Sequence, residues 1–326
     1  MKKSLLTYVI LLSQTFVLFS QSQSVHPEKI FTYTTYLSNF PDDAKKLDWW
    51  IPMASSNERQ SVEVLSIKGL KGKITTETKY GNRMYYIGRD LKKTKPDDTL
   101  RVTITYKVKT AEKSVPEAKS LAPLEKVIPG ENMQVYLGDN LLIPLKGPVA
   151  DMYSRLELSP YPIRAARQIY DYLIDTMVYN YKAPGAGLGD VVWACNNLTG
   201  DCSDYHSIFI GLCRSHGIPA DHGFGWPLRV SEGRTPVKYW HCWAKFWVEG
   251  PGWITIDASE ADKHPEQKDY LFGTLNEVYL TISHGRDVIL SPAQAGQPLN
   301  IFADPYAEID GKKRENIWWI GYVENK

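Results

Sequence analysis

Three residues in the second half of the chain have side chains and an order that suit nucleophilic catalysis. Cys202 follows Gly200-Asp201 and precedes a predicted helix, so its thiol would lie at the positive end of a helix dipole. That position lowers a thiol pKa toward the thiolate, which is the nucleophilic form. His241 offers a base, and Asp257 offers a group that would orient the imidazole. We therefore expect a catalytic triad of Cys202, His241 and Asp257.

The segments around these residues have the patterns of helices and strands. Residues 203–215 predict a helix with Gly217 as its C-terminal cap, and residues 163–179 predict an earlier amphipathic helix. Alternation predicts strands over residues 239–248 and 253–257, separated by a tight turn. Such a hairpin would bring Asp257 beside His241.

The same residues resemble a known family. Four ordered pieces between about residues 130 and 290 resemble the transglutaminase-like superfamily: Gly200-Asp201-Cys202, the run 212–220, His241-x-Trp243, and Gly252-Trp253-x-x-x-Asp257. The resemblance implies an α+β fold with a papain-like core, in which a helix carrying Cys202 packs on an antiparallel sheet carrying His241 and Asp257. It also implies an all-β sandwich before that core. The chain departs from the family at Asp221, where a basic residue is usual.

The resemblance further implies thioester chemistry on amide bonds. We expect an exported cysteine-dependent amide hydrolase or acyl transferase that acts on protein or peptide, with cell-wall peptide among the compatible substrates. Hydrolysis is favoured over cross-linking because water is the abundant acceptor. The alternative is a non-catalytic module of the same fold that binds a peptide, a glycan or a partner protein. The retained triad favours the enzyme.

Four other residues are candidates for the substrate cleft or for oxyanion stabilisation, namely Trp193, Asp201, His206 and Trp243. Trp193 lies in the stretch where some family members place an oxyanion-stabilising side chain, and the backbone amide of Cys202 is the other candidate donor. His206 follows Cys202 by one helical turn, where a solvated face is the common fate. Aromatic core packing explains the two tryptophans equally well.

The remaining cysteines predict neither a metal site nor a cofactor. All four lie between positions 195 and 242 and include no Cys-x-x-Cys pair of the kind that structural zinc sites use. Cys213 lies on an apolar helical stripe, and Cys242 should point to the sheet face opposite His241. A disulfide among Cys195, Cys213 and Cys242 stays open, because pairing cannot be deduced from sequence.

The start of the chain predicts export to the periplasm or the extracellular space. Lys2-Lys3 and an apolar run from Leu5 to Phe19 predict a signal peptide over residues 1–22, cleaved near residues 20–24. The run is shorter than the roughly 20 residues of a membrane span, so we expect no membrane anchor. Because 38 basic residues nearly balance 37 acidic ones, no net field would attract nucleic acid.

The length of 326 residues and the 43% hydrophobic content predict two packed domains. Short alternating runs over residues 30–110 predict the β-sandwich, which we place at residues 23–115. A polar, proline-punctuated linker over residues 116–130 would follow. Residues 131–326 would form the transglutaminase-like domain with a C-terminal strand extension. The oligomeric state is left open.

Overall fold

A computed structural model describes residues 27–126 and 130–326. The predicted signal peptide lies outside these residues, as do residues 127–129 of the predicted linker. The described part is a mixed α/β fold with mainly antiparallel sheets. Across those two ranges, no helix has both the length and the apolar character that a bilayer span requires.

The described residues form eighteen strands. In chain order they are β1 (Lys29–Leu37), β2 (Lys46–Met53), β3 (Gln60–Gly69), β4 (Lys73–Thr76), β5 (Arg83–Asp90), β6 (Leu100–Thr110), β7 (Lys113–Ser114), β8 (Val178–Tyr179), β9 (Thr199–Gly200), β10 (Ala220–Pro227), β11 (Thr235–Val237), β12 (His241–Val248), β13 (Gly252–Ile256), β14 (Thr274–Leu275), β15 (Tyr279–His284), β16 (Tyr306–Ile309), β17 (Lys312–Lys313) and β18 (Ile317–Asn325).

The helices lie between β7 and β14 in the chain. They are α1 (Pro116–Lys119), α2 (Pro148–Tyr153), α3 (Pro162–Thr176), α4 (Val191–Asn197), α5 (Cys202–Ser215), α6 (Ala258–Lys263) and α7 (Lys268–Leu271), with 3₁₀ turns at Glu131–Tyr136 and Pro265–Gln267. The short helix α1 thus occupies the start of the segment predicted as a linker.

Three larger sheets organise the fold. Two have five strands each, in the orders β11-β18-β1-β6-β3 and β17-β16-β2-β5-β4. The third has four antiparallel strands in the order β13-β12-β10-β15 and carries the segments that the sequence marks for chemistry. Two small strand pairs, β7 with β14 and β8 with β9, connect parts of the helical region.

The strands near the C-terminal end complete the sheets that the first part of the chain begins. Strand β18 pairs with β1 along nine residues, from Lys29 opposite Asn325 to Leu37 opposite Ile317. Strand β16 pairs with β2 in the other five-stranded sheet. The division of the chain at residues 116–130 stays a prediction, and it would assign hydrogen-bonded neighbours to different domains.

Two hydrophobic clusters divide the interior. One is shared by the five-stranded sheets and one side of the four-stranded sheet, and it includes Phe31, Trp49, Tyr106, Trp226 and Cys242. The other packs helices α2 to α6 on strands β12 and β13, and it includes Ile169, Phe209, Ala244, Phe246 and Ile256. Helix α5 lies in the centre of the second cluster, and every residue from Cys202 to Arg214 is buried. This is the helix-on-sheet core that the resemblance implies.

Helix α3 begins where the sequence predicts and ends earlier. Pro162 occupies the first turn, where its missing N–H costs nothing. The prediction of helix up to Tyr179 was wrong, because Met177 is extended and β8 pairs in parallel with β9. That pairing holds Tyr179 next to Gly200, two residues before Cys202.

Trp226 joins the four-stranded sheet to the sheet of β1. It is fully buried, with ring centroids 5.0 Å from Phe31 and 4.7 Å from Tyr33. Trp226→Ala should lower the free energy of unfolding by about 3–5 kcal/mol, because it leaves a cavity between the two sheets. Urea unfolding measures this, with the exposed Leu141→Ala as the control expected within about 0.5 kcal/mol of the unmutated protein. Equal unfolding midpoints for the two variants would contradict the packing role.

Candidate active site

Cys202 is the first residue of α5, and a capping box fixes that helix start. The Asp201 carboxylate accepts the Ser203 N–H at 2.7 Å, and the Asp204 carboxylate accepts the Asp201 N–H at 2.9 Å. These reciprocal bonds satisfy amide groups that a helix start leaves free. The thiol of Cys202 is thereby held at the positive end of a 14-residue helix.

The residue before the cap has to be glycine. Gly200 has φ +150°, and a Cβ built there would lie 2.3 Å from Asp204 Oδ2. Asp204 also accepts the N–H groups of Gly187 at 2.9 Å and Gly189 at 3.0 Å. The loop upstream of α4 is therefore fastened to the same carboxylate that caps α5.

His241 begins β12, and Asp257 follows the neighbouring strand β13, so their hairpin brings them together. His241 Nε2 lies 2.6 Å from Asp257 Oδ2. Cys202 and His241 lie close enough for each to shift the pKa of the other through hydrogen bonding and charge. Since Nε2 is taken by Asp257, Nδ1 is the imidazole nitrogen that is left for the thiol. The structure thus brings the three predicted residues into one chain of contacts, with each residue buried.

The Asp257 carboxylate has further partners that fix its orientation. Asp257 is the N-cap of α6, and its Oδ1 accepts the Ser259 hydroxyl and the Glu260 N–H, each at 3.0 Å. His206 Nε2 lies 3.5 Å from the same oxygen. One carboxylate oxygen is therefore held by the cap, and the other is left for His241.

The local electrostatics favour a thiolate on Cys202 and a proton on His241. Hydrogen bonding from Cys242 holds the pKa of Cys202 well below its usual value, against the opposing effect of burial and with help from His241. Burial by itself lowers the pKa of His241. The charge of Asp257, the effect of Tyr279, and hydrogen bonding to Asp257 and Cys202 outweigh burial, so the pKa of His241 lies well above its usual range. Both directions stabilise a thiolate–imidazolium pair.

The pKa values of the two carboxyl groups at the site, Asp257 and Asp201, are shifted in opposite directions. Burial raises the pKa of Asp257, but the charge of His241 and the nearby His206 outweigh it and hold that pKa well below its usual value. Burial, the charge on Cys202 and the nearby Asp204 raise the pKa of Asp201 to about 7. Asp257 is therefore the anionic partner of the imidazole, while Asp201 is the group whose charge changes near neutral pH.

The other three cysteines have raised thiol pKa values, in contrast to Cys202. Burial raises the pKa of Cys195 to about 12 and raises the pKa values of Cys213 and Cys242 well above their usual range. All four cysteines are free thiols. Cys202 is therefore the thiol that the local electrostatics select for reaction.

His206, a cleft candidate, lies fully buried beneath the triad. Its Nε2 accepts the Ala258 N–H at 3.2 Å, and its Nδ1 lies 3.5 Å from Cys242 Sγ. His206 therefore lies neither on a solvated helix face nor in an open cleft, the two positions considered from the sequence.

Of the tryptophan candidates, Trp243 lies behind the base. It is buried, and its ring centroid is 5.5 Å from that of Tyr279, which in turn stacks on His241 at 5.2 Å. Trp193 lies on α4 with its indole against Gly185. Among the contacts described for the two ranges, none joins Trp193 to the triad. The fourth candidate, Asp201, is the α5 cap.

Three residues that contact the site, Tyr279, Ser259 and Cys242, were not predicted from the sequence as part of it. Tyr279 comes from a distant strand, and no local pattern connects it with His241. Ser259 follows Asp257 in an Asp-x-Ser run, which is an N-capping signal that could have placed it. Cys242 was assigned to the face opposite His241. That face carries α5, so Cys242 lies beside Cys202.

The described residues contain no cluster of side chains that could bind a metal ion. Within residues 27–126 and 130–326, no three His, Cys, Asp or Glu side chains converge in a way that would hold a metal ion. The carboxylates of the run 257–262 are engaged in capping and pairing, as with Asp262, which accepts the Tyr205 hydroxyl at 3.0 Å.

Comparisons with known proteins identify the helical and sheet region. Residues 149–258 match the family model of the transglutaminase-like superfamily. An uncharacterized protein of Haemophilus influenzae is 27% identical over 300 residues, covering 80% of each chain. A Cytophaga hutchinsonii crystal structure, described as a proposed cysteine protease, superposes with a TM-score of 0.57 over 93% of each chain at 16% identity, which shows a shared fold. The periplasmic domain of TgpA from Pseudomonas aeruginosa is a more distant likeness, with a TM-score of 0.36 and 11% identity over 75% of this chain and 90% of that domain.

The matched segment contains Cys202 at the start of α5, His241 in β12, and Asp257 at the end of the β12–β13 hairpin. Residues 149–258 of this chain therefore form a domain of the transglutaminase-like superfamily.

Proposed function

We propose that this protein is an exported cysteine-dependent enzyme that cleaves amide bonds in protein or peptide substrates through a thioester on Cys202. One observation carries the proposal: Cys202 begins α5 beside His241, whose Nε2 lies 2.6 Å from Asp257 Oδ2. Charge and hydrogen bonding support the reactive ionic forms of Cys202 and His241, against the opposing effect of burial. The superfamily match supports the same chemistry.

In the proposed acylation, the Cys202 thiolate attacks the amide carbonyl carbon and forms a C–S bond. The carbonyl oxygen becomes an oxyanion, for which the backbone N–H of Cys202 is the proposed donor. The His241 imidazolium gives its proton to the amide nitrogen, the C–N bond breaks, and an amine leaves. Asp257 keeps the imidazole oriented and stabilises its charged form.

In the proposed deacylation, neutral His241 takes a proton from water while the water oxygen attacks the thioester. The C–S bond breaks, a carboxylic acid product leaves, and the thiolate–imidazolium pair is restored. A primary amine in place of water would give transfer instead of hydrolysis. We favour water, because it is the abundant acceptor.

A protein or peptide substrate is supported by exposed apolar side chains near the reactive groups. Tyr239, two residues before His241, is 56% exposed, and Leu188, beside the loop that Asp204 holds, is 57% exposed. In the proposed complex these two side chains contact apolar residues of the substrate. Cell-wall peptide is one compatible substrate. The export proposal rests on Lys2-Lys3 and the apolar run that follows.

The test is a product analysis. The protein, expressed without residues 1–22, is incubated with a panel of protein, peptide and cell-wall peptide substrates, with and without a primary amine, and the products are identified by mass spectrometry. We expect hydrolysed amides and an acyl adduct on the Cys202 peptide, both absent after treatment with iodoacetamide. Substrates that bind and return unchanged, without an adduct, would support the non-catalytic binding module instead.

A further inference from the structure

Arg286, two residues after β15, is a buried cation that hydrogen-bonds to neutral groups. Only 1% of it is exposed. Its Nη1 donates to the Leu188 carbonyl at 2.8 Å and to Asn300 Oδ1 at 2.6 Å. Its Nη2 donates to the Ser207 hydroxyl at 3.0 Å and lies 3.2 Å from His222, a ring whose pKa burial holds well below its usual value. Burying a charge among neutral partners costs free energy, so packing alone does not explain an arginine at this position.

The carbonyl that Arg286 binds belongs to a short loop that is held on both of its edges. We call residues 187–189 the Leu188 loop. The Asp204 carboxylate accepts the two N–H groups on either side of Leu188, at 2.9 Å and 3.0 Å. The Leu188 carbonyl between them accepts from Arg286. An anionic side chain therefore holds the N–H groups of the loop, and a cationic side chain holds its carbonyl.

The Leu188 loop lies against the start of α5 with no space for further side chains. A Cβ built on Gly189 would lie 2.3 Å from Arg286 Nη2. One built on Gly187 would lie 3.3 Å from Asp201 Oδ2, the carboxylate that caps α5. Both glycines have positive φ, at +60° and +92°, which glycine adopts at little cost. Leu188 is thus the residue of this loop that presents a side chain, and that side chain is exposed.

We propose that Arg286 is a positioning residue that fixes the Leu188 loop, so that the Leu188 side chain forms an apolar contact for the substrate next to the start of α5. This inference rests on the proposed function, because it assigns a substrate contact to the same site. Arg286 touches neither the substrate nor the reacting atoms and acts through the loop backbone. It lies beyond residues 149–258, so the C-terminal part of the chain contributes to the site.

The chemistry of the guanidinium suits this role. Its five N–H donors lie in one rigid plane, so it can bind a carbonyl, an amide oxygen and a hydroxyl at once. Burial lowers the pKa of Arg286 to about 10, while Cys242 and Asp204 act in the opposite direction, so it keeps its charge at neutral pH. Hydrogen bonds from a charged donor are about twice as strong as those between neutral groups. The loop backbone is therefore fastened more firmly than a neutral donor would allow.

Hydrogen–deuterium exchange tests whether Arg286 holds the loop. Arg286→Lys keeps a positive charge, but one ammonium group cannot reach all the acceptors of the guanidinium. Amide exchange in peptides that cover residues 185–190 should then be at least about tenfold faster, because the loop opens locally more often. Asn300→Ala removes the second donor to the Leu188 carbonyl, whose Nδ2 lies at 2.8 Å, and should act in the same direction to a smaller extent.

Arg214→Lys is the matched control. Arg214 is also a buried arginine that donates to backbone carbonyls, those of Ala220 at 3.0 Å and 2.9 Å and of Gly138 at 2.8 Å. It lies near the other end of α5, so its replacement should leave exchange in the Leu188 loop unchanged even where thermal stability falls. Circular dichroism fixes a temperature at which every compared variant is folded.

Steady-state kinetics tests the substrate contact. For a peptide with apolar residues, found by product analysis, Arg286→Lys should raise KM about five- to tenfold and change kcat by less than about twofold. Leu188→Ala should raise KM by a similar factor. The double variant should have the KM of Leu188→Ala alone, because the side chain that Arg286 positions is already absent. Arg214→Lys should keep the unmutated KM.

The outcomes separate this inference from the proposed function. Unchanged loop exchange in folded Arg286→Lys would refute the role of Arg286. Faster exchange with an unchanged KM, or with KM effects that multiply in the double variant, would refute the contact through Leu188. Failure of the proposed function appears in the unmutated protein, which would then cleave no amide. In that case loop exchange and the dissociation constant of a bound peptide decide the role of Arg286 by the same comparisons.

Discussion

Replacement of Cys202 by alanine should reduce amide turnover by at least about 10⁴-fold, because the variant has no atom that can form the thioester. Neither the helix cap nor the hairpin depends on the thiol, since Asp201 and Asp204 fix the start of α5 through their own carboxylates. The loss should therefore appear in kcat, while substrate binding changes little. Steady-state kinetics on a substrate found by product analysis, with direct binding measurements, separates the two quantities.

Cys213→Ala is the matched control for that prediction. It removes a thiol from the same helix, and Cys213 packs in the helical cluster away from the triad. Its turnover should remain within about twofold of the unmutated protein after correction for the folded fraction. Cys202→Ser keeps the position with a far less acidic hydroxyl, so it should be nearly as inactive as the alanine variant. Turnover retained in Cys202→Ala would place the chemistry on another residue.

Replacement of Asp257 by asparagine should reduce kcat/KM by about 10³- to 10⁴-fold. The neutral amide removes the charge that raises the pKa of His241, and it can present either an oxygen or an NH₂ to Nε2. The imidazolium should then lose its proton at lower pH, so the alkaline limit of activity moves to lower pH. The pH profile of kcat/KM reports both changes. Asp269→Asn, at an exposed carboxylate that pairs with Arg167, is the control and should keep the unmutated profile.

Asp257→Asn should also change how the free energy of unfolding depends on pH. The folded-state pKa of Asp257 is depressed, so its charge stabilises the fold above the unfolded value of about 3.9 and ceases to do so as pH falls through the folded pKa. The folded-state pKa of His241 is raised, so its contribution is complete below about 6.5 and is lost as pH rises through the folded pKa. The stability difference from Asp257→Asn should therefore be largest between about pH 4 and 6.5. A difference in unfolding free energy that stays constant from acid to alkaline pH would contradict this coupling.

The local sequence was enough to predict the elements that carry the triad. Gly200-Asp201-Cys202 is a loop-to-helix junction by composition, and the alternation after His241 is a strand signal that does not depend on distant contacts. A short turn then left a hairpin as the simplest arrangement, which places Asp257 next to His241. These three inferences needed only contacts between neighbours in the chain.

The surroundings of those elements could not be predicted in the same way. Alternation indicates that Cys242 and His241 point to opposite faces, but it does not say what packs on either face. His206 is buried because α3, α4 and α6 close around α5, and that closure depends on contacts between segments far apart in sequence. The pairing of β18 with β1 is likewise invisible to a local pattern, because either strand would form with any suitable partner.

The position of β18 has a consequence for how the protein is made. Strand β18 lies between β1 and β11, and β11 ends four residues before His241. Thr35 of β1 donates its hydroxyl to the Trp318 carbonyl of β18, 283 positions later, so a ribosome adding about 5–20 residues per second needs roughly 14–57 s between them. During that interval β1 has an unpaired edge and β11 has no neighbour to hold it. The segment that leads into His241 therefore gains its support only late in synthesis, after Cys202, His241 and Asp257 have all been made.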